Sequence, residues 1–153
     1  MLGFVFGFIM LISFSALGIK IGKKYTESLR FWTDFHQFNT ISSIKIPAYK
    51  ANIRECVDEL NKDTFSNVTT QFLTGCPDPV CPSFLKKEEF EYISSYFYKL
   101  KTLDFQSLNT LFVETHSYVS NKREDAKILC DKNVKTCKKL GILAGIAAFI
   151  FVV

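Results

Sequence analysis

Two uncharged apolar runs bracket the chain, and a helical periodicity fills the space between them. From Leu2 to Ile19 no residue is charged, and the polar side chains are those of Ser13 and Ser15. From Leu140 to Val153 the sequence Leu-Gly-Ile-Leu-Ala-Gly-Ile-Ala-Ala-Phe-Ile-Phe-Val-Val is free of charge to its last residue. As helices the two runs cover roughly 27 Å and 21 Å, against a hydrocarbon core of about 30 Å. Val134 and Cys137 extend the second apolar face backwards, and Lys138 and Lys139 can snorkel to the headgroups. The pattern predicts transmembrane helices over residues 1–21 and 138–153, with a helical domain over 22–137.

Between the ends the apolar positions keep the helical period. Leu29, Trp32, Phe35 and Phe38 form one line, with Arg30, Asp34 and Gln37 off it, so the first helix is expected to continue to about Ser43. Pro47 is expected to bar helix through that point. Ile53, Val57 and Leu60 give a second helix ending near Asn61. Residues 62–83 are rich in turn signals, with a short docking helix around Phe65, Val68, Phe72 and Leu73. Phe90, Ile93, Phe97 and Leu100 make a stripe over Lys86–Leu100, for which Ser83 is a plausible N-cap. Asp104 is the expected N-cap of a last helix with Leu108, Leu111, Phe112, Thr115 and Val119 inward. That helix is expected to break or bend after Ser120-Asn121 and to resume through Ala126, Leu129 and Val134. No strand pattern occurs, so the class is all-α: a helical bundle between two transmembrane helices.

Charge turns this outline into a topology. The formal charge of +4 is concentrated beside the apolar ends, at Lys20, Lys23, Lys24 and Arg30, then at Lys122, Arg123, Lys127, Lys132, Lys135, Lys138 and Lys139. That placement suits a membrane surface with anionic lipid and not nucleic acid. No basic residue precedes Leu2, so the N-terminal run reads as an uncleaved anchor and not as a signal peptide. Both basic flanks face the middle of the chain. The bundle is therefore expected in the cytoplasm and both termini outside. Gly3/Gly7, Gly18/Gly22 and Gly141/Gly145 are Gly-x-x-x-Gly pairs, a spacing that lets helix backbones approach closely in lipid.

Candidate chemistry is sparse. Cys76 and Cys81 are spaced C-x₄-C, and Cys130 and Cys137 lie a heptad apart; neither spacing is that of a zinc ribbon, and no histidine is near. In an extracytoplasmic setting Cys76 and Cys81 could form a disulfide, and Asn67-Val-Thr69 would be a glycosylation sequon. A membrane-anchored thiol protein or an extracytoplasmic glycoprotein is therefore the alternative reading. His36 and His116 are isolated in sequence. Glu88, Glu89 and Glu91 form an acidic helix start that can serve as a docking patch. No phosphate loop, nucleophile elbow or paired Glu/His motif appears, so no cofactor, metal, nucleic acid or small-molecule substrate is expected.

Two patterns carry a resemblance. Leu140-Gly-x-Leu-x-Gly145 enters the apolar C-terminus after a basic helix that opens with Leu100-x-x-x-Asp104-x-x-Ser107. Upstream, Gly18 in an N-terminal anchor is followed by a basic helix, Ile46, and Ile53-x-Glu55. This order resembles the stage III sporulation protein AB family of endospore-forming bacteria. Lys45, Asn52, Lys101 and Leu108 stand where the family carries other residues, as in a distant member. The resemblance implies a cytoplasmic helical bundle on a membrane hairpin, similar to the F-type platform proteins of type II secretion and type IV pilus machines. It further implies a non-enzymatic component of the channel complex that connects mother cell and forespore. Its expected partners are a secretion-type ATPase and other sporulation channel proteins.

Overall fold

The computed structural model describes residues 2–49, 52–60, 63–76 and 78–152. Among the described residues five helices follow one another: α1 (Leu2–Tyr49), α2 (Ile53–Asp58), α3 (Asp63–Leu73), α4 (Lys87–Thr102) and α5 (Phe105–Val152). No strand occurs among the described residues.

Local chemistry explains most of the ends. At α2, Asn52 Oδ1 accepts the Arg54 N–H at 3.2 Å while Glu55 Oε2 accepts the Asn52 N–H at 3.4 Å, a reciprocal capping box. Helix α3 closes on Gly75, whose φ of 71° is open to glycine, with the Cys76 N–H returning to Gln71 O at 3.0 Å. Lys101 Nζ donates to Phe72 O at 2.6 Å, placing a cation on the carbonyl end of α3. Asp104 caps α5 as expected. Hydrogen bonds from the Ser107 hydroxyl and from backbone N–H groups hold its carboxyl below the usual carboxylate range.

Three local expectations are corrected. Pro47 lies inside α1, which runs on to Tyr49. So close to the helix end the proline forfeits one backbone bond, and the helix stops within the next turn. Ser83 is not the cap of α4. Lys86 occupies that position, and Glu89 Oε2 accepts its N–H at 3.0 Å, which is the acidic half of a capping box. Finally, α5 is continuous through Ser120 and Asn121. Neither residue removes a backbone donor, and buried Val119 and Ala126 on either side keep the inward face in step.

Contacts divide the chain into two units. One comprises residues 28–125; the other joins residues up to Glu27 with those from Ala126 onward. The first is an aromatic-rich bundle. Phe31, Phe35 and Phe38 of α1 meet Phe65 of α3, and Phe35 and Phe38 meet Tyr96 and Phe97 of α4; Trp32, Ile93, Phe112 and Val119 are buried in the same unit. Phe35 and Tyr96 meet edge to face at 5.2 Å, and Phe72 stacks on Phe97 at 5.6 Å with ring planes 7° apart. Of the bundle positions read as an apolar face, Leu29, Ile53, Phe72 and Leu73 are half-buried and the others are buried. Asp34, read as an outer position, is 2% exposed. The buried sector of α1 is wide enough to take in Phe31 and Asp34 as well as the line of Phe35 and Phe38.

The second unit consists of the ends of α1 and α5, running antiparallel. Val134 lies against Gly22, Cys137 and Gly141 against Gly18, and Leu11 against Gly145. Thr26 Oγ1 and Cys130 Sγ continue the register at 4.0 Å. Chain positions facing each other thus rise on one helix as they fall on the other.

Candidate functional site

In the helix pair, the glycines set how near the two backbones come. A Cβ added at Gly18 would stand 2.6 Å from Cys137 O and 3.1 Å from the Gly141 Cα. One added at Gly141 would stand 2.9 Å from Phe14 O, and one at Gly145 3.0 Å from Leu11 O. Each of these neighbours is backbone, which cannot swing away as a side chain could. Gly22 differs: its nearest neighbours, all at Val134, are 3.9 Å away, an ordinary contact. The two backbones thus come nearest at Gly18, Gly141 and Gly145 and leave more room at Gly22. Gly7 is buried, whereas Gly3 lies outside the residues whose side-chain surroundings are described.

The outer faces of the same pair are apolar. Val5, Phe6, Phe8, Ile9, Ile12, Leu17 and Ile19 of α1, with Leu140, Ile142, Leu143 and Ile150 of α5, are each more than half exposed. Among the described residues one helix, α1, is long and apolar enough to cross a membrane, with a mean hydropathy of 2.0 over its most apolar 18 residues. Contiguous apolar surface of this extent calls for lipid or protein to cover it.

In the bundle, few polar side chains are buried, and two of them join its helices. Asn39 is buried between three helices: its Nδ2 donates to Phe112 O at 3.0 Å, and its Oδ1 accepts the Tyr96 hydroxyl at 3.0 Å. Burial holds the Tyr96 phenol well above its usual range, so the hydroxyl stays a donor. The hydroxyl of Tyr92 reaches Thr115 Oγ1 at 3.3 Å, and its ring lies 3.9 Å from that of Tyr118.

The acidic start of α4 is not one patch. Glu88 and Glu91 are exposed, but Glu89 is 8% exposed and turned inward. Lys122 Nζ donates to Glu89 Oε1 at 2.8 Å and lies over the Tyr118 ring, 5.6 Å from its centre. That hydrogen bond raises the Lys122 ammonium above its usual range. Glu89 therefore leaves the docking patch, because its two oxygens are committed to the N-terminus of α4 and to α5. Glu91 also lines an open groove of about 500 Å³ with Pro79, Phe90, Ser94, Ser95 and Tyr98.

His36 and His116, distant in sequence, are paired in space, with ring centres 4.7 Å apart. Burial, then Arg123, then His116 lower the His36 imidazole from its ordinary value. The sequence signal was available only through the antiparallel pairing of α1 and α5, which brings residues 36 and 116 abreast just as it does 39 and 112.

The cysteines are all free thiols. Cys76 and Cys81 are exposed and turn their sulfurs to loop carbonyls, Cys76 to Asp78 O and Cys81 to Pro82 O and Leu85 O. Burial and the charge of Glu89 push the Cys81 thiol up, the opposite of what a reactive thiolate needs. Asn67 is exposed, but Thr69 of the same triplet is buried in α3 with its hydroxyl bonded to Phe65 O at 2.9 Å. Among the described residues no three His, Cys, Asp or Glu side chains are grouped as a metal site would require.

A family model for stage III sporulation protein AB matches residues 36–153. The match includes most of the bundle and all of α5, and it begins after the apolar part of α1. No curated protein and no solved structure matches the chain significantly.

Proposed function

Because the chain belongs to the stage III sporulation protein AB family, we propose that it is a non-enzymatic membrane platform of the sporulation channel complex between mother cell and forespore. The observation that carries this reading is the close-packed pair formed by the ends of α1 and α5, whose outer faces are apolar over Val5–Ile19 and from Leu140 onward. In the bilayer the pair forms a two-helix hairpin. The register places Leu140 and the residues beyond it abreast of the α1 run below Leu17, so the shorter C-terminal run occupies the same depth as the longer one.

The basic flanks put the bundle in the cytoplasm and both termini outside. There the bundle docks a secretion-type ATPase through the outer face of α4, where Glu88 and Glu91 project beside the groove of Phe90 and Tyr98. The buried Asn39, Tyr96 and Thr69 side chains each hydrogen-bond within the bundle, which supports a packed scaffold. The raised Cys81 thiol weighs against the thiol-protein alternative, and the basic flanks weigh against the glycoprotein one.

The test pairs topology with binding. In intact cells an impermeant thiol reagent should leave Cys76 unmodified; labelling would overturn the cytoplasmic bundle. The double variant Glu88→Lys, Glu91→Lys should fold and lose salt-sensitive co-purification with the ATPase. Undiminished co-purification would remove this face as the docking site, and absence of ATPase binding by the wild-type chain would remove the mechanism.

A further inference from the structure

The excess positive charge of the chain belongs entirely to the helix pair. Its eight lysines stand against Glu27 and Asp131, a net +6, whereas the whole chain carries +4 and residues 28–125 therefore −2. The sequence shows two separate basic flanks; the antiparallel register makes them one belt. With Val134 at Gly22 and Cys130 at Thr26, Lys20, Lys23 and Lys24 of α1 come abreast of residues 132–136 of α5. Lys132 and Lys135 share that level, and Lys138 and Lys139 stand one turn nearer the apolar faces.

Seven exposed lysines thus fall within roughly 11 Å of helix rise. No acidic residue lies on either helix within that band, residues 17–24 and 132–139. Just outside it, Glu27 Oε1 takes up Lys23 Nζ at 3.6 Å. The belt directly adjoins the exposed apolar surface, beginning at Lys20 and Lys139 where Ile19 and Leu140 end it. A headgroup layer is about 5–8 Å deep on each side of the hydrocarbon, so one layer covers most of the belt.

The geometry points to an annulus for anionic phospholipid: the belt recruits phosphate-bearing lipids with net negative headgroups around this hairpin in preference to zwitterionic ones. The inference rests on the membrane reading above and names the lipid class. Lysine is the only cation in the band, and an ammonium is a strongly hydrated point charge without the rigid fork of arginine. The annulus therefore holds exchangeable lipids by charge, and salt weakens it.

The test uses the full chain reconstituted in bilayers of equimolar phosphatidylcholine and phosphatidylglycerol. Discs are excised with a styrene–maleic acid copolymer, and the lipid retained by the protein is quantified by mass spectrometry. The wild type should retain phosphatidylglycerol at roughly threefold or more over the bulk ratio, falling towards unity in high salt. The variant Lys24→Gln, Lys132→Gln, Lys135→Gln should lose most of that enrichment. A variant with the same charge change in the bundle, Arg54→Gln, Lys87→Gln, Lys99→Gln, should keep it. Wild-type protein that sits in the bilayer without enrichment, or equal loss in both variants, overturns the annulus alone. A chain that fails to enter the equimolar bilayers overturns the membrane reading and the annulus with it.

Discussion

Alanine substitution at the four described seam glycines should change sign along the helix pair. Alanine is the better helix former by about 1 kcal/mol, so each substitution begins with that gain. At Gly22 nothing opposes it, because the new Cβ meets Val134 at 3.9 Å. Gly22→Ala should be neutral or up to about 1 kcal/mol more stable. At Gly18 the new Cβ meets Cys137 O at 2.6 Å, and the two backbones must separate. A gap of about 0.5–1 Å forfeits a quarter to a half of each contact's attraction along the seam. Overpacking of this kind costs about 1–3 kcal/mol, so Gly18→Ala should be net destabilising despite its propensity gain. Gly141→Ala and Gly145→Ala, with clashes at 2.9 and 3.0 Å, should fall between the two. The assay is unfolding of the full chain, titrated with dodecyl sulfate out of mild detergent micelles and followed by circular dichroism. A Gly18→Ala chain as stable as Gly22→Ala would refute the close approach of α1 and α5.

Three further outcomes are expected. Phe97, 1% exposed and ringed by Phe38, Phe72 and Tyr96, should cost about 3–5 kcal/mol on replacement by alanine, read as a lower denaturation midpoint of the full chain. Tyr96→Phe strands the buried Asn39 Oδ1 and should cost about 1–3 kcal/mol; in the Asn39→Ala background the same change should cost distinctly less, as a double-mutant cycle measures. His36 has a lowered value in the fold, so the unfolded chain takes up its proton first as pH falls. Stability from this group is complete above about pH 6.5 and is lost as pH drops from there through the lowered folded value; His36→Gln should flatten that part of the pH–stability curve.

Periodicity made the bundle legible because its helices bury one continuous apolar sector each. Phe90, Ile93, Phe97 and Leu100 are read from α4 as readily as they are seen in it. The departures from the sequence pattern lie where position in the helix, or packing, overrides local propensity. Pro47 breaks nothing because it stands in the last turn of α1, and the Ser120-Asn121 step breaks nothing because buried Val119 and Ala126 keep the inward face in step. Glu89 looks like Glu88 and Glu91, since three glutamates within four positions give no hint which one turns inward towards Lys122. His36 with His116 and Asn39 with Phe112 and Tyr96 are products of inter-helix register, a quantity no single helix contains.

Register also links the two functional readings. A fourteen-residue apolar run is too short to cross a hydrocarbon core of about 30 Å alone at 1.5 Å per residue. The structure does not present it alone. Gly141 and Gly145 hold it against Gly18 and Leu11, so its ends share the levels of the α1 run and its lysines share those of Lys20, Lys23 and Lys24. Two flanks that are separately weak signals thereby become one apolar slab and one cationic belt. Loosening the seam at Gly18 would slide or splay the helices and disperse the lysines to different depths. The same Gly18→Ala chain that loses stability should therefore also lose part of its preference for phosphatidylglycerol, although no charge has been touched. Unchanged lipid preference in a demonstrably loosened pair would mean that each flank recruits lipid on its own, and that the close packing serves the hairpin alone.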